Sequence, residues 1–519
     1  MWADVVDGVS QPLLMKYFKV DAPLGPLTAR VISDRAVLEL LTEHELCPDE
    51  KSSPRPSIVV GRKGSGKTSY LRRLGLGRDP SIFIELKTEK GLNLILAVLD
   101  KAVFESVSVE SIADIWDGIF WNCLLWMLNR TGRPSIGHQA TRSHLRSLDI
   151  ADCASVEMVI GAMAEKFEKL TAASGLFSID KVDRYLRGEN FDALKQYVTA
   201  DLERQNQTAL LVLDSLDDYP INVDIYKKTL GGLLKCAGEF NAVESRFDLR
   251  LCLPSELYIA FTDDISTNAI KDFSNQFILK WPVDELLLAA SRRLMIYLRL
   301  FYPLAYAALR DNKLLTRRDA ERFLKGVLPS FTKNLQGRHE NTVLYLLRHT
   351  QLMPRQLLIL LGSVLQLVRH PTEVYDGSPF VKEDDIRLGI KDTEGLIVQE
   401  IYTAYKQRYP LAKEVCLAVI PTLPKVFSSD QLTAAVKHFS DERASIRAQS
   451  VRRLLIEIGA VGKVESSDHN YTYGRFEYSM PGQLPLGAQD TMCVHPLFSR
   501  VCESRTSAHD QPILPFAAA

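Results

Sequence analysis

The run Ile58-Val59-Val60-Gly61-Arg62-Lys63-Gly64-Ser65-Gly66-Lys67-Thr68 constrains this chain more than any other. Apolar β-branched residues lead into Gly-x4-Gly-Lys-Thr, and Ser69-Tyr70-Leu71-Arg72-Arg73-Leu74 follows with the character of a helix. Strand, glycine-rich loop and helix in that order predict a phosphate-binding loop. The glycines let backbone N–H groups turn inward toward anionic oxygens, and the helix behind adds the positive end of its dipole. Gly61, Gly64, Ser65, Gly66, Lys67, Thr68 and Ser69 are the candidate contacts to a nucleotide. Lys67 would reach the β- and γ-phosphates and Thr68 would ligate Mg²⁺.

Such a site needs a carboxylate to hold the metal. The run Thr208-Ala209-Leu210-Leu211-Val212-Leu213-Asp214 supplies one. A strand buried on both faces of a parallel sheet reads as a continuous apolar stretch, and Asp214 stands at its carboxyl end, where open α/β sheets bind ligands. Ser215-Leu216-Asp217-Asp218 add two acids. Asp218 first, and Asp217 second, are the candidates to orient or deprotonate an attacking water.

The rest of the composition narrows the class. With 519 residues the chain has room for three or four domains, and 46% hydrophobic with 24% charged residues supplies core material for an ordinary globular protein. A net charge of −1 gives no global field to attract nucleic acid or membrane, so such contacts would have to come from a local patch. Cys47, Cys123, Cys153, Cys236, Cys252, Cys416, Cys493 and Cys502 are scattered without metal-ligand spacing, which predicts free thiols and a reducing, cytoplasmic setting. The acidic start Met1-Trp2-Ala3-Asp4 lacks the apolar core of a signal peptide. The longest apolar stretch, Leu357 to Val368, is interrupted by Gly362, Ser363 and Gln366 and is too short for a bilayer, so no membrane partner is expected.

Alternating strands and helices around the loop predict an α/β domain with a mostly parallel sheet. Ser33 to Leu41 reads as a capped helix, and further strands are expected at Ile82–Leu86 and Phe247–Leu253. Trp116, Trp121 and Trp126 are spaced by five and do not hold one helix face, which favours core packing over a stacking platform. Residues 130 to 200 read as mostly helical, with a polar excursion around Ser135 to Ser147. From Trp281 the pattern turns helical: Val283–Leu300, Arg317–Val327, Asn341–Thr350, Pro354–Val368 and, after a linker at His370–Pro379, Ile397–Lys406. Ser428-Ser429-Asp430-Gln431 is a capping box. The next helix carries Ile446, Val451, Leu454, Leu455 and Ile458 and ends at Gly459, and strands follow at Val461–Val464 and Tyr471–Met480. Helix, helix and hairpin outline a winged helix-turn-helix. The expected domains are residues 1–55 (a segment leading into the nucleotide site), 56–282 (the ATPase core), 283–395 (a helical lid) and 396–519 (the winged helix).

In combination, GRKGSGKTS, LLVLDSLDD, a strand ending in LPSEL, ILKWPVDELL, LMPRQLLILL and the terminal winged helix resemble the signal-transduction (STAND) and origin-recognition-like AAA+ ATPases, in their bacterial form. The resemblance implies a P-loop ATPase that binds ATP and Mg²⁺ and switches conformation between ATP and ADP. It would regulate a protein effector or self-associate, and relatives often act in anti-phage defence. It also implies a second-sensor arginine opening a lid helix, which Met353-Pro354-Arg355 matches, so Arg355 would reach the phosphates. The first-sensor position departs from the pattern: Leu253 is followed by Pro254-Ser255-Glu256, and Arg250 and Asn275 are the remaining alternatives. No guanine-reading motif appears, which favours ATP over GTP. The alternative implied by the origin-recognition relatives is a DNA-binding ATPase acting in loading, repair or transposition. Its DNA contacts would be Arg447, Arg452 and Arg453, with Arg443 on the same helix and Lys463 and Arg475 on or near the wing, nearly cancelled by Asp441, Glu442, Glu457, Glu465, Asp468 and Glu477.

Overall fold

In the computed structural model, which describes residues 2–32, 34–41, 56–76, 82–87, 107–130, 138–174, 179–214, 224–240, 246–258, 276–334, 337–368, 375–443, 446–479, 484–507 and 510–516, the apolar runs of the first half form one sheet. Its strands are β1 (Ile58–Gly61), β2 (Phe83–Lys87), β3 (Ala209–Asp214), β4 (Phe247–Pro254) and β5 (Gln276–Ile278). They lie in the order β2-β3-β4-β1-β5, and every pairing is parallel. The chain divides into two units. One holds Cys47–Gly61 and Tyr70–Leu279 and contains this sheet; the other holds Met1–Leu46, Arg62–Ser69 and Lys280–Ala519.

Successive residues of a strand face opposite ways, and each face of the sheet buries its own core. Ile58, Val60, Leu211, Leu213, Leu249 and Leu251 join a large cluster that includes Trp116 and Phe120. Val59, Leu210, Val212 and Cys252 pack instead with Tyr70, Leu71 and Leu74. Two covered faces explain why these strands read as uninterrupted apolar runs. Trp116, Trp121 and Trp126 are all buried on the helix Val109–Arg130 and serve as core residues. The polar stretch expected around Ser135 to Ser147 is a helix from His138 to Ser147. Thr141 and Leu145 form a narrow buried stripe there, continued by Leu148 just past the helix, too thin to register against its charged outer face.

Arg250 is not available as a sensor. Its guanidinium donates to both carboxylate oxygens of Asp248, at 2.8 and 2.9 Å, and both residues are buried on β4. Asn275 lies outside the described residues.

The other unit opens with the helices Trp2–Asp7, Gln11–Tyr17 and Arg35–Leu41, which pack on the helix Val283–Phe301. Arg293 and Arg299 of that helix donate to the carbonyls of Leu24, Pro26 and Val9. The arginines thereby satisfy backbone acceptors of a segment with little ladder of its own. The helices Arg317–Lys325, Thr342–Arg348 and Pro354–Leu367 follow, with β6 (Phe331–Lys333) and β7 (His339–Asn341) as a short antiparallel pair. The helix expected at Ile397–Lys406 begins much earlier and runs Glu383–Tyr405. Its first half is polar and carries Gly389, where an added Cβ would stand 2.9 Å from the backbone nitrogen of Val364. The glycine that obscures the helical pattern therefore permits close helix packing.

The C-terminal part contains the helices Ala412–Val419, Ser429–Asp441 and Ala448–Glu457. The Ser428–Gln431 capping box is formed: Ser428 N donates to Gln431 Oε1 at 2.9 Å, and Gln431 N to Ser428 Oγ at 3.3 Å. The two expected strands become β9 (Val461–Ser467) and a shorter β10 (Thr472–Arg475), which is followed by a 3₁₀ turn at Glu477–Ser479. They belong to a five-stranded sheet, β12-β10-β9-β11-β8, completed by β8 (Val426–Ser428), β11 (Thr491–Val494) and β12 (Ile513–Leu514). The three added strands are two to four residues long, too short to show a period.

Candidate functional site

The loop after β1 is built around two glycines in the left-handed region, Gly64 at φ +90° and Gly66 at φ +96°. An L side chain is strained at either position, so these glycines are required by the turn itself. Between them Ser65 is fully buried; its N–H donates to Arg62 O at 3.0 Å, and its Oγ has no hydrogen-bond partner. Lys67 is buried at the start of the helix Lys67–Gly75, and its ammonium donates to the same Arg62 carbonyl at 3.2 Å. Thr68 and Ser69 follow on the first turn, half-buried.

Two residues from far along the chain pack on this loop. Trp281 donates its indole N–H to Ser65 O at 2.6 Å. Arg355, second residue of the helix Pro354–Leu367, lies over Gly64: a Cβ built on Gly64 would stand 3.2 Å from the Cβ of Arg355. The Nε of Arg355 is buried and has no hydrogen-bond partner. Pro354 at the first helical position explains the placement, because its missing N–H costs nothing there and its fixed φ sets the exit of the next side chain. Loop, lysine and arginine are thus gathered in one unit. A cradle of left-handed glycines, a buried ammonium and two orphaned polar atoms, Ser65 Oγ and Arg355 Nε, suits an anion.

Asp214 ends β3 in the sheet unit and is buried. Gly61 ends β1 in the same sheet, with β4 between the two strands. Gly61 pairs with Pro254 and Leu213 with Leu251, so both strands terminate along one carboxyl edge, two strand spacings or roughly 10 Å apart. Asp217 and Asp218 lie outside the described residues.

Of the three arginines considered for DNA, Arg447 is exposed at the N-cap of Ala448–Glu457. Arg452 donates to Thr433 Oγ1 at 3.2 Å and Ser429 Oγ at 3.0 Å. Arg453 donates to Glu457 at 2.6 Å, and that carboxylate also meets Arg408 and Tyr409. Among the described residues, no helix is long and apolar enough to cross a membrane. The seven described cysteines are free thiols.

Sequence reasoning missed Arg62, Trp281 and Gln351. Arg62 occupies a variable position of the loop motif, yet its side chain is buried. It donates to Gln351 Oε1 at 2.7 Å, to the Tyr405 hydroxyl at 3.1 Å and to Ile458 O at 3.3 Å. The one signal was an arginine among loop glycines; its partners, hundreds of residues away, leave none.

The fold is mixed α/β with an all-parallel five-stranded sheet. Comparison with protein-family models finds none that matches the chain, and comparison with curated proteins finds no match either.

Proposed function

We propose that the chain is an ATP-binding and ATP-hydrolysing molecular switch that regulates a protein partner, of the STAND and origin-recognition-like AAA+ kind. The observation that carries the reading is the loop itself: Gly64 and Gly66 held at positive φ, Lys67 buried beside them, and Arg355 packed on Gly64 with its Nε unpaired. The parallel sheet supports it by ending β1 and β3 along one carboxyl edge.

In this reading the loop N–H groups meet the phosphate oxygens, and Lys67 exchanges the Arg62 carbonyl for the β- and γ-phosphates. Thr68 and Asp214 would hold Mg²⁺, which when bound neutralises charge on the phosphate oxygens. Asp218, with Asp217 as the second candidate, orients or deprotonates the attacking water. Arg355 reports the γ-phosphate to the helical lid. The C-terminal helices with β9 and β10 are read as a winged helix. The ties of Arg452 and Arg453 within it support a protein-regulating role over DNA loading. Phosphate release from Mg-ATP tests the reading. The parent should turn over; Lys67→Ala should lose turnover with the fold retained; Asp218→Asn should keep ATP bound and hydrolyse it slowly. Full turnover in Lys67→Ala contradicts the proposal.

A further inference from the structure

We infer that Arg62 is a positioning residue through which the C-terminal elements set the nucleotide affinity of the loop. The inference rests on the ATP reading above and adds a regulatory partner from the same chain. Arg62 faces two ways. Its backbone carbonyl accepts from both Ser65 N–H and the Lys67 ammonium, so the orientation of one peptide group fixes the residues expected to meet the phosphates. Its guanidinium is anchored far along the chain by Gln351, Tyr405 and the Ile458 carbonyl, and it lies 5.3 Å from the Tyr405 ring centroid and 5.5 Å from that of Tyr478.

The anchors are themselves joined. Gln351 Nε2 donates to the same Ile458 carbonyl at 2.9 Å, and Gln351 N–H donates to Gln356 in the helix that carries Arg355. The Tyr405 hydroxyl donates to Glu457 O at 2.8 Å. Tyr478 meets His495 at 2.9 Å. His495 Nδ1 accepts from Leu497 N–H, and burial holds its pKa far down, so the imidazole is neutral and Nε2–H donates to the phenol oxygen. Arg62 therefore ties the loop to the end of the Ala448–Glu457 helix and, through the Tyr478 ring, to the turn after β10. A buried guanidinium with three acceptors and two rings has one well-defined pose, and that pose prearranges the loop. Loosening it charges the ordering of the loop to nucleotide binding. By reciprocity, bound nucleotide must bias the C-terminal elements to the same extent.

The test is calorimetric titration of Mg-ATP into the full chain and into Tyr405→Phe and Gln351→Leu, with melting curves to establish folding. Tyr405→Phe keeps the ring and removes only the hydroxyl, so it guards against loss of fold in Gln351→Leu. Each folded variant should bind Mg-ATP about tenfold more weakly, equivalent to ~1.4 kcal/mol. KM should rise alike while kcat stays within about twofold, because Arg62 touches no reacting atom. A purely structural role would lower the melting temperature and leave affinity unchanged. Unchanged or tighter binding in the folded variants overturns the inference while leaving the ATP reading intact. A parent that binds no Mg-ATP overturns both.

Discussion

The two units bury their interiors by different means. The sheet unit is apolar on both faces of its strands, with Asp248–Arg250 as a charged pair enclosed within β4. The other unit encloses Arg62, Glu340, His349, Gln351, Glu394, Glu457 and His495. Glu394 there lies between His349 and Arg500, and Glu457 collects Arg408, Arg453 and Tyr409. Apolar burial is non-directional and tolerates exchange of partners. A buried polar group must find its particular acceptor or lose the full cost of desolvation. The first arrangement makes a platform. The second makes an interior in which each buried group depends on a particular partner.

The largest effect should come from breaking the charged pair buried on β4. Asp248→Ala strands the Arg250 guanidinium inside the sheet and should cost about 3–5 kcal/mol in denaturant unfolding. Replacing Asp248 and Arg250 together by Leu and Met should be close to neutral, because the platform needs volume and not charge. If the double variant were as unstable as the single one, the contrast between the units would fail.

Acid should weaken both units. Burial pushes His144 of the sheet unit down from 6.5 to about 4. The native state then binds fewer protons than the unfolded chain between these values, so stability falls as pH falls through this window, by ~3 kcal/mol at most. His495 in the other unit is lowered by its own burial and acts with the same sign. His144→Gln should flatten the sheet unit's share of the loss, read as the shift of the unfolding midpoint between pH 7 and pH 4. An unchanged slope would show that His144 is not neutral in the fold.

A smaller effect is expected at the loop. If Arg355 meets the γ-phosphate as proposed, Arg355→Ala should lower the preference for ATP over ADP by about 1.5 kcal/mol, roughly tenfold. Equal discrimination in variant and parent would return Arg355 to a packing role. The smallest effect is expected in the C-terminal domain. With Arg452 and Arg453 tied internally, gel shifts of the parent should show no steeply salt-dependent DNA retention, and Arg447→Glu should change nothing. Retention that collapses as salt rises would restore the DNA-loading alternative.

The same division explains what could be read in advance. β1, β3 and β4 were legible because burial on both faces leaves an uninterrupted apolar signature, and the Ser428–Gln431 cap and Pro354 because their chemistry is local. The start of the Glu383–Tyr405 helix was hidden by its polar face and Gly389, and β8, β11 and β12 by their length. The motif marked the loop from Gly61 to Ser69, and the proline pattern marked Arg355. The partners of Arg62 lie 289, 343 and 396 residues away and obey no spacing, so only the folded chain brings them together.

The most direct test of the central claim is calorimetry of Mg-ATP binding to the parent and to Lys67→Ala. The account predicts one site per chain in the parent and loss of at least about tenfold in affinity in the folded variant, since Lys67 supplies a charge to the β- and γ-phosphates that nothing else in the loop replaces. Equal Mg-ATP affinity in the two proteins would contradict it.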